Sequence, residues 1–244
     1  MKNHKFTSKD RIGIVANDAG ASNLIMGWVS HHKFLNFFFC LSGPSKKIFQ
    51  DNHLFGPIYD IEEIMKTCNV IITGTSYESM LEHNARLKAK KSKILSIAVI
   101  DHWVNYELRF IRNKQKVLPN IIWVFDEFAE KKAKNLFKNI NIERQKNFYI
   151  NDLAEKINKL GRKNDYKNTN ILYVLEPMRK NSKIIGYLYE YEILDFFINK
   201  IRKMNFDNDL DIKLRLHPSE ESKKYDKWLH LQNKRNISIS LEKS

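Results

Sequence analysis

The sequence predicts an α/β protein built on parallel sheets. Three observations predict it. Short apolar runs of strand length recur along the chain, helical segments with polar or lysine-rich faces separate them, and several runs are apolar at nearly every position, as strands covered on both faces must be. A polar, glycine-led stretch without periodicity, "GRKNDYKNTN" (161–170), interrupts the pattern. The chain therefore reads as two Rossmann-like halves, 1–160 and 161–244. The second half reads as small or incomplete, because the sequence stops at "LEKS" just after a strand.

Taken in order, "IGIVA" (12–16) is the first strand, followed by the turn "NDAGAS" and the helical "NLIMGWVSHH". "FLNFFFCL" (34–41) is the second, ended by the breaker "SGP", and "GPIYD" (56–60) is a short third before the helix "IEEIMKTC". "NVIITG" (69–74) leads into "TSYESMLEHNARLKAKK", whose hydroxyl start and basic end suit helix capping and the macrodipole. "KILSIAVID" (93–101), "NIIWVFD" (120–126) and "KNFYI" (146–150) continue the strand series, the last before the helix "NDLAEKINKL". Beyond the linker come the strand "ILYVLEP" (171–177), a long helix over about 182–204, the strand "DIKLRLH" (211–217), the helix "SEESKKYDKWLHL" and the strand "NISISL" (236–241).

Composition narrows the function classes. A hydrophobic fraction of 43% is enough for a packed core, yet no stretch approaches the ~20 apolar residues of a membrane span. The polar start "MKNHKFTSKDR" does not read as a secretory leader, so the expected location is cytoplasmic. Cys40 and Cys68 are too few for a disulfide framework and sit in apolar segments, as buried small hydrophobes do. The formal net charge is +14, but the basic clusters 86–93 and 130–138 read as solvated helix faces without arginine–aromatic interleaving. Nucleic acid is therefore not the expected partner. Diffuse positive charge better suits peripheral contact with an anionic membrane face or an acidic glycan. No carboxylate cluster has metal-ligand spacing, so neither a metal nor a cofactor is expected.

In open α/β sheets ligands bind beyond the carboxyl ends of strands, so each strand-to-helix corner is a candidate site. "ANDAGASN" (16–23) offers Asn17, Asp18 and Gly20. Its small residues permit close backbone approach, and Asp18 suits either a helix cap or an acid–base role. It lacks the three spaced glycines of a dinucleotide fingerprint. At "TGTSYES" (73–79), Gly74, Thr75 and Ser76 suit an anion nest or, equally, a helix cap. "AVIDHWVNYELRF" (98–110) delivers Asp101, His102, Trp103, Asn105 and Tyr106 together, a mix suited to stacking on a sugar and binding its hydroxyls. Asp101 beside His102 also offers an acid–base pair. Asp126 and Glu127 at "VFDEFA" are explained by helix-dipole stabilisation alone. "LEPMRKNSK" (175–183) places Glu176 and Arg179 near a helix start, where a nucleotide diphosphate or solvent would meet them. In "IKLRLHPSEES", Pro218 and Ser219 suit a helix start, while His217 at the strand end suits phosphate binding by charge-assisted hydrogen bonds.

A strand ending in His-Pro at a helix start, in the second of two such halves, resembles the bacterial GT-B glycosyltransferases of surface-polysaccharide loci, in particular sialyltransferase- and polysialyltransferase-like enzymes. "TGTSYESMLEHNARLKAKK" with "SIAVIDHWVNYELRF" is also similar to N-terminal halves of glycosyltransferase-like proteins from such loci. The resemblance implies a metal-independent transferase moving a sugar from a nucleotide-sugar donor to a glycan or lipid-linked acceptor of lipopolysaccharide or capsule. It implies that His217, with Pro218, binds the donor phosphate. Asp18 or Asp101 would then be the base, and Trp103, Asn105 and Tyr106 would shape the acceptor site. Two departures stand against it: "NDAG" has Ala19 where the family has a second acid, and the family's hydroxyl motif beyond His-Pro has no counterpart before Ser244. A nucleotide-sugar epimerase or hydrolase of related fold, or a shortened non-catalytic binding module, are the alternatives.

Overall fold

The computed structural model describes residues 3–77, 79–161, 169–175, 190–204, 210–217, 220–221, 223–232 and 237–242. The chain divides into two compact units, Met1–Gly161 and Arg162–Ser244. Among the described residues, each unit is organised around one parallel sheet with helices, the second much the smaller.

The first unit runs β1 (Arg11–Ala16), α1 (Ala19–Ser30), β2 (Asn36–Leu41), α2 (Pro44–Asp51), α3 (Ile61–Thr67), β3 (Val70–Thr73), α4 (Leu81–Lys91) and β4 (Leu95–Val99). A 3-10 helix (Leu108–Phe110) and the antiparallel pair β5 (Ile111–Arg112) and β6 (Gln115–Lys116) follow, then β7 (Ile121–Val124), α5 (Glu127–Leu136), β8 (Asn141–Arg144) and α6 (Phe148–Leu160). The main sheet has the order β2-β1-β3-β4-β7-β8, all neighbours parallel. Strand direction of travel reverses between β1 and β3, which makes that gap the topological switch point.

Alternation along the strands builds a core on each face. Ile12, Ile14, Ile72, Ile97 and Trp123 join residues of α1 and α2 in one cluster. Val15, Ile71, Cys40 and Cys68 face Ile64 of α3 and Ala85 and Ala89 of α4 in another, and Ile122, Val124 and Phe110 pack with α5 in a third. Each fully buried large apolar side chain contributes roughly 1.5–3 kcal/mol. Both cysteines are buried and unpaired, and burial pushes the Cys68 thiol up to about 11.

In the second unit β9 (Thr169–Val174), β10 (Leu210–Arg215) and β11 (Ile237–Leu241) form a parallel sheet in the order β11-β10-β9, with α7 (Glu190–Ile201) and α8 (Asp226–Gln232). Its core joins Ile212 and Leu214 to Leu194, Ile198, Tyr225 and Trp228. Among the described residues no helix is long and apolar enough to cross a membrane.

Four local expectations change. Residues 56–60 form no strand, only one bridge from Ile58 to Phe39. The breaker "SGP" ends β2 but its Pro44 also opens α2, since proline is well placed in a first helical turn. "KNFYI" is not a strand: pairing falls on Asn141–Arg144, and the Asn147 side chain accepts from the Ile150 N–H to start α6. Helix α4 begins at Leu81, so the stretch after β3 is loop and neither Thr75 nor Ser76 caps a helix.

Candidate functional site

Because the six strands of the main sheet are parallel, their carboxyl ends share one edge, and four corners meet there: 17–20 after β1, 74–80 after β3, 100–107 after β4 and 125–126 after β7. They form two neighbourhoods of different character.

The first lies at the switch point. Glu82, on the first turn of α4, is fully buried. Its carboxylate accepts the Asn17 N–H at 3.0 Å and the Ser76 N–H at 2.5 Å, tying the loop after β1 to the loop after β3. Gly74 is required beside it, because a Cβ there would stand 2.3 Å from Glu82 Oε1. Burial, reinforced by the Asp18 charge, pushes the Glu82 carboxyl up to about 7, against the opposing pull of the two N–H groups and Arg86. Arg86, one turn further along α4, is also buried, donates to Thr73 Oγ1 at 3.0 Å and the Gly74 carbonyl at 2.8 Å, and is lowered by burial to about 10. Two more arginines fasten the corner from the β4 side. Arg109 donates to Thr75 Oγ1 at 3.1 Å, and Arg112 donates to the Ser76 carbonyl and lies 4.8 Å from the centre of the Tyr77 ring. Of the two readings of 74–76, a helix cap or an anion nest, the nest exists in part, but the group it holds is the protein's own Glu82.

The second neighbourhood is open. A cavity of about 350 Å³ is lined by residues of α1 (Gly20, Asn23, Leu24), of the turn after β4 (Asp101, His102, Trp103) and of the turn after β7 (Phe125, Asp126), and by Asn147 and Tyr149. Asp101 is held by Arg109 at 2.6 Å, both largely shielded from solvent. It lies directly over Gly20, where a Cβ would meet Asp101 Oδ2 at 1.8 Å. Asp126 caps α5 through the Ala129 N–H at 2.7 Å and accepts the Trp103 indole N–H at 2.8 Å. Trp103 is therefore oriented while 51% exposed. Lys132 fixes the same turn by donating to the Trp103 carbonyl at 2.7 Å.

Of the residues expected from sequence, Asn17, Asp18, Gly20, Asp101, His102 and Trp103 come to this one edge. Asp18 serves as the α1 cap, accepting from the Ala21 N–H at 3.3 Å. Asn105 is exposed in a left-handed conformation (φ 58°) and shapes the turn, its carbonyl accepting the Arg109 N–H. Tyr106 does not fit the acceptor role expected of it: the ring is 2% exposed and packs with Ile100, Phe110 and Val124. In the second unit His217 is half-buried after β10, and its carbonyl accepts the Glu220 N–H at 2.9 Å. Beside it Lys224 bridges Glu190 and Glu220 at 2.6 Å each; burial works to lower its pKa, and the two carboxylates overcome that and raise it. Glu176, Arg179, Pro218 and Ser219 lie outside the described residues. Among the described residues no group of three or more histidine, cysteine or carboxylate side chains is arranged to hold a metal ion.

Sequence reasoning missed Glu82, Arg86 and Asp126 as site-builders. A signal existed for the first two. Glu82, Ala85, Arg86 and Ala89 recur at i, i+3, i+4, i+7, and small alanines on one stripe mark a helix pressed against a sheet.

No protein-family model matches the chain, and no curated protein matches it in sequence. Solved structures share its fold. One, provisionally assigned as a UDP-N-acetylglucosamine 2-epimerase from Listeria monocytogenes, is similar with a TM-score of 0.59 at 11% identity, over 97% of this chain and 70% of that one. Another, HepE from Anabaena solved with UDP and glucose, is similar with a TM-score of 0.50 at 10% identity, over 96% and 70%. The protein has a GT-B-like α/β fold of two Rossmann-like parallel-sheet units with a small second unit.

Proposed function

We propose that the protein is a nucleotide-sugar enzyme, and specifically a metal-independent glycosyltransferase that moves a sugar from a nucleotide donor to a surface glycan. The observation that carries this reading is the cavity at the carboxyl edge of the main sheet. It joins a half-exposed indole, two carboxylates and two amides, the groups that hold a sugar by stacking and by its hydroxyls. The fold shared with HepE, solved with UDP and glucose, supports a nucleotide-sugar donor. In this reading the first unit takes the acceptor, with Asp18 or Asp101 as the base. His217 of the second unit binds the donor phosphate. Exposed Tyr77, Trp103, Val104 and Leu108 near the same edge suit a lipid-linked acceptor presented at a membrane surface.

The likeness to a structure assigned as an epimerase favours a second reading, in which the same fold isomerises or hydrolyses a nucleotide sugar. Labelled nucleotide sugars incubated with and without acceptor glycans separate the two. Transfer gives free nucleotide and an extended glycan, whereas the alternative gives an isomerised or released sugar without acceptor. A thermal-shift panel of CMP, UDP, GDP and dTDP tests the donor side directly. One nucleotide is expected to stabilise the wild type, and His217→Ala to weaken that binding by about 1–3 kcal/mol. Equal stabilisation of both proteins removes His217 from the site.

A further inference from the structure

We infer that the cavity beyond β1, β4 and β7 is a saccharide subsite selective for uncharged sugar units over anionic ones, with Trp103 as its stacking surface and Asp126 as its specificity group. The inference rests on the reading of the protein as a nucleotide-sugar enzyme and adds the chemical class of the acceptor.

The lining carries the case. Two carboxylates face a space of about 350 Å³, at the small end of the range for small-molecule sites, and among the described residues no lysine or arginine lines it. The Arg109 guanidinium is committed to Asp101 at 2.6 Å, which offsets that carboxylate's charge, and to Thr75 at 3.1 Å, so Asp126 is the charge that discriminates. Asp126 accepts from an indole N–H and a backbone N–H, neither of which neutralises its charge. A carboxylated or phosphorylated sugar entering here meets the charge of Asp126, whose own partners are N–H groups, while the Arg109 and Lys132 cations are held on Asp101 and on the Trp103 carbonyl. A neutral sugar meets what it needs. Carboxylate oxygens accept its hydroxyl protons, Asn23 and Asn147 add amides, and the indole takes an apolar ring face. The contrast with the chain's net charge of +14 sharpens the point: the protein as a whole attracts anions, and this cavity does not.

The architecture also shows that the indole is placed rather than merely exposed. Its N–H is fixed on Asp126, its carbonyl on Lys132 at 2.7 Å, and the turn that carries it is held by Arg109, which donates to the Val104 carbonyl at 3.2 Å. Pre-set orientation is what lets a single aromatic ring bind a sugar without a large ordering cost.

The test uses the full chain and measures binding by saturation-transfer NMR and tryptophan fluorescence, at about pH 8, above the range where imidazoles titrate. The probes are neutral methyl hexosides and N-acetylhexosaminides against N-acetylneuraminic acid, glucuronic acid and glucose 6-phosphate. Neutral probes are expected to bind, with anionic probes weaker by about tenfold or more. Trp103→Ala is expected to lower neutral-sugar affinity by about tenfold with an unchanged melting temperature, as for a surface side chain. Asp126→Asn keeps an oxygen for the α5 cap and removes the charge but sets an amide NH2 against the Trp103 indole N–H, so neutral-sugar affinity should fall while the gap between neutral and anionic probes narrows. Anionic sugars binding as well as neutral ones, no sugar of either charge binding, or neutral binding indifferent to Trp103→Ala would each overturn the subsite. A parallel arm with nucleotides keeps the two claims apart. If a nucleotide stabilises the protein but the sugar preference is anionic, only this inference fails. If neutral sugars bind through Trp103 but no nucleotide binds and no nucleotide sugar is turned over, the subsite stands and the enzyme reading fails.

Discussion

The corner at β1 and β3 and the corner at β4 and β7 lie on the same sheet edge and are built from the same materials, a carboxylate, strand-end backbone and a nearby arginine. They end in opposite states. At the first, Glu82 enters from α4 and uses the N–H groups of Asn17 and Ser76, leaving the polar corner satisfied from within. At the second, Asp101 and Asp126 are positioned by Arg109 and Trp103 while the space in front of them stays open. Polar groups at a strand's carboxyl end are therefore not a site until the chain's own partners have been subtracted. A buried carboxylate at a corner belongs to stability, and a carboxylate held at an open cavity wall is the one proposed for recognition.

Experiments can break this division. The largest effect is expected from Glu82→Ala, which strands the buried Ser76 N–H and the half-buried Asn17 N–H and leaves a void beside Arg86; a loss of about 3–5 kcal/mol in urea unfolding fits a filled structural corner. A loss below about 1 kcal/mol would show that Glu82 closes nothing.

Next in size is a pH dependence. The Glu82 carboxyl titrates near 7 when folded and near the ordinary carboxylate range when unfolded, so the folded state holds its proton more tightly. The stability it contributes is present below about pH 4.5 and is lost as pH rises towards about 7, by up to about 3 kcal/mol. Glu82→Gln should flatten the melting-temperature profile across that window. An unchanged slope in the variant would assign the dependence to other groups.

Gly20→Ala probes the seam between the two corners. The new Cβ must displace Asp101 from its position over the helix start, at an expected cost of about 1–3 kcal/mol, together with weakened sugar binding. Wild-type stability with wild-type binding would show the contact to be dispensable. The smallest stability effect belongs to Trp103→Ala. With 51% of the residue exposed, its removal should change unfolding free energy by no more than about 0.5 kcal/mol while sugar binding falls. The pair Glu82→Ala and Trp103→Ala thus sharpens the comparison from both ends, one costing fold and the other costing ligand.

Much of the fold was legible because strand and helix announce themselves by period. The strands at 12–16, Val70–Thr73, Leu95–Val99 and Ile121–Val124 are apolar but for Thr73 and Ser96 and lie where expected, buried on both faces. The misreadings have physical causes. The aromatic content of "KNFYI" favours a strand locally, but Asn147 and the following apolar stripe at helical spacing win. The Lys-rich reading of 86–93 hid Arg86, because one buried cation among exposed ones leaves no trace in composition. Asp126 looked complete as a dipole-stabilised carboxylate at a helix start, and its partner Trp103 comes from a different strand end that no local pattern connects to it. Tyr106 failed for the converse reason: its hydroxyl suggested a ligand contact, while its neighbours Ile100 and Phe110 draw the ring inward.

The connection between β4 and β7, residues 100–120, carries no α-helix, and it is clamped by Arg109 and Arg112 to the loop after β3. Between Asp101 and Arg109, which hold each other, sit residues 102–108, all but Tyr106 exposed. Such an arrangement separates what must be inherited from what is free to vary. Substitutions at the tip leave the scaffold undisturbed, so under the proposed reading a lineage carrying this fold would change its sugar preference by drift in one short segment.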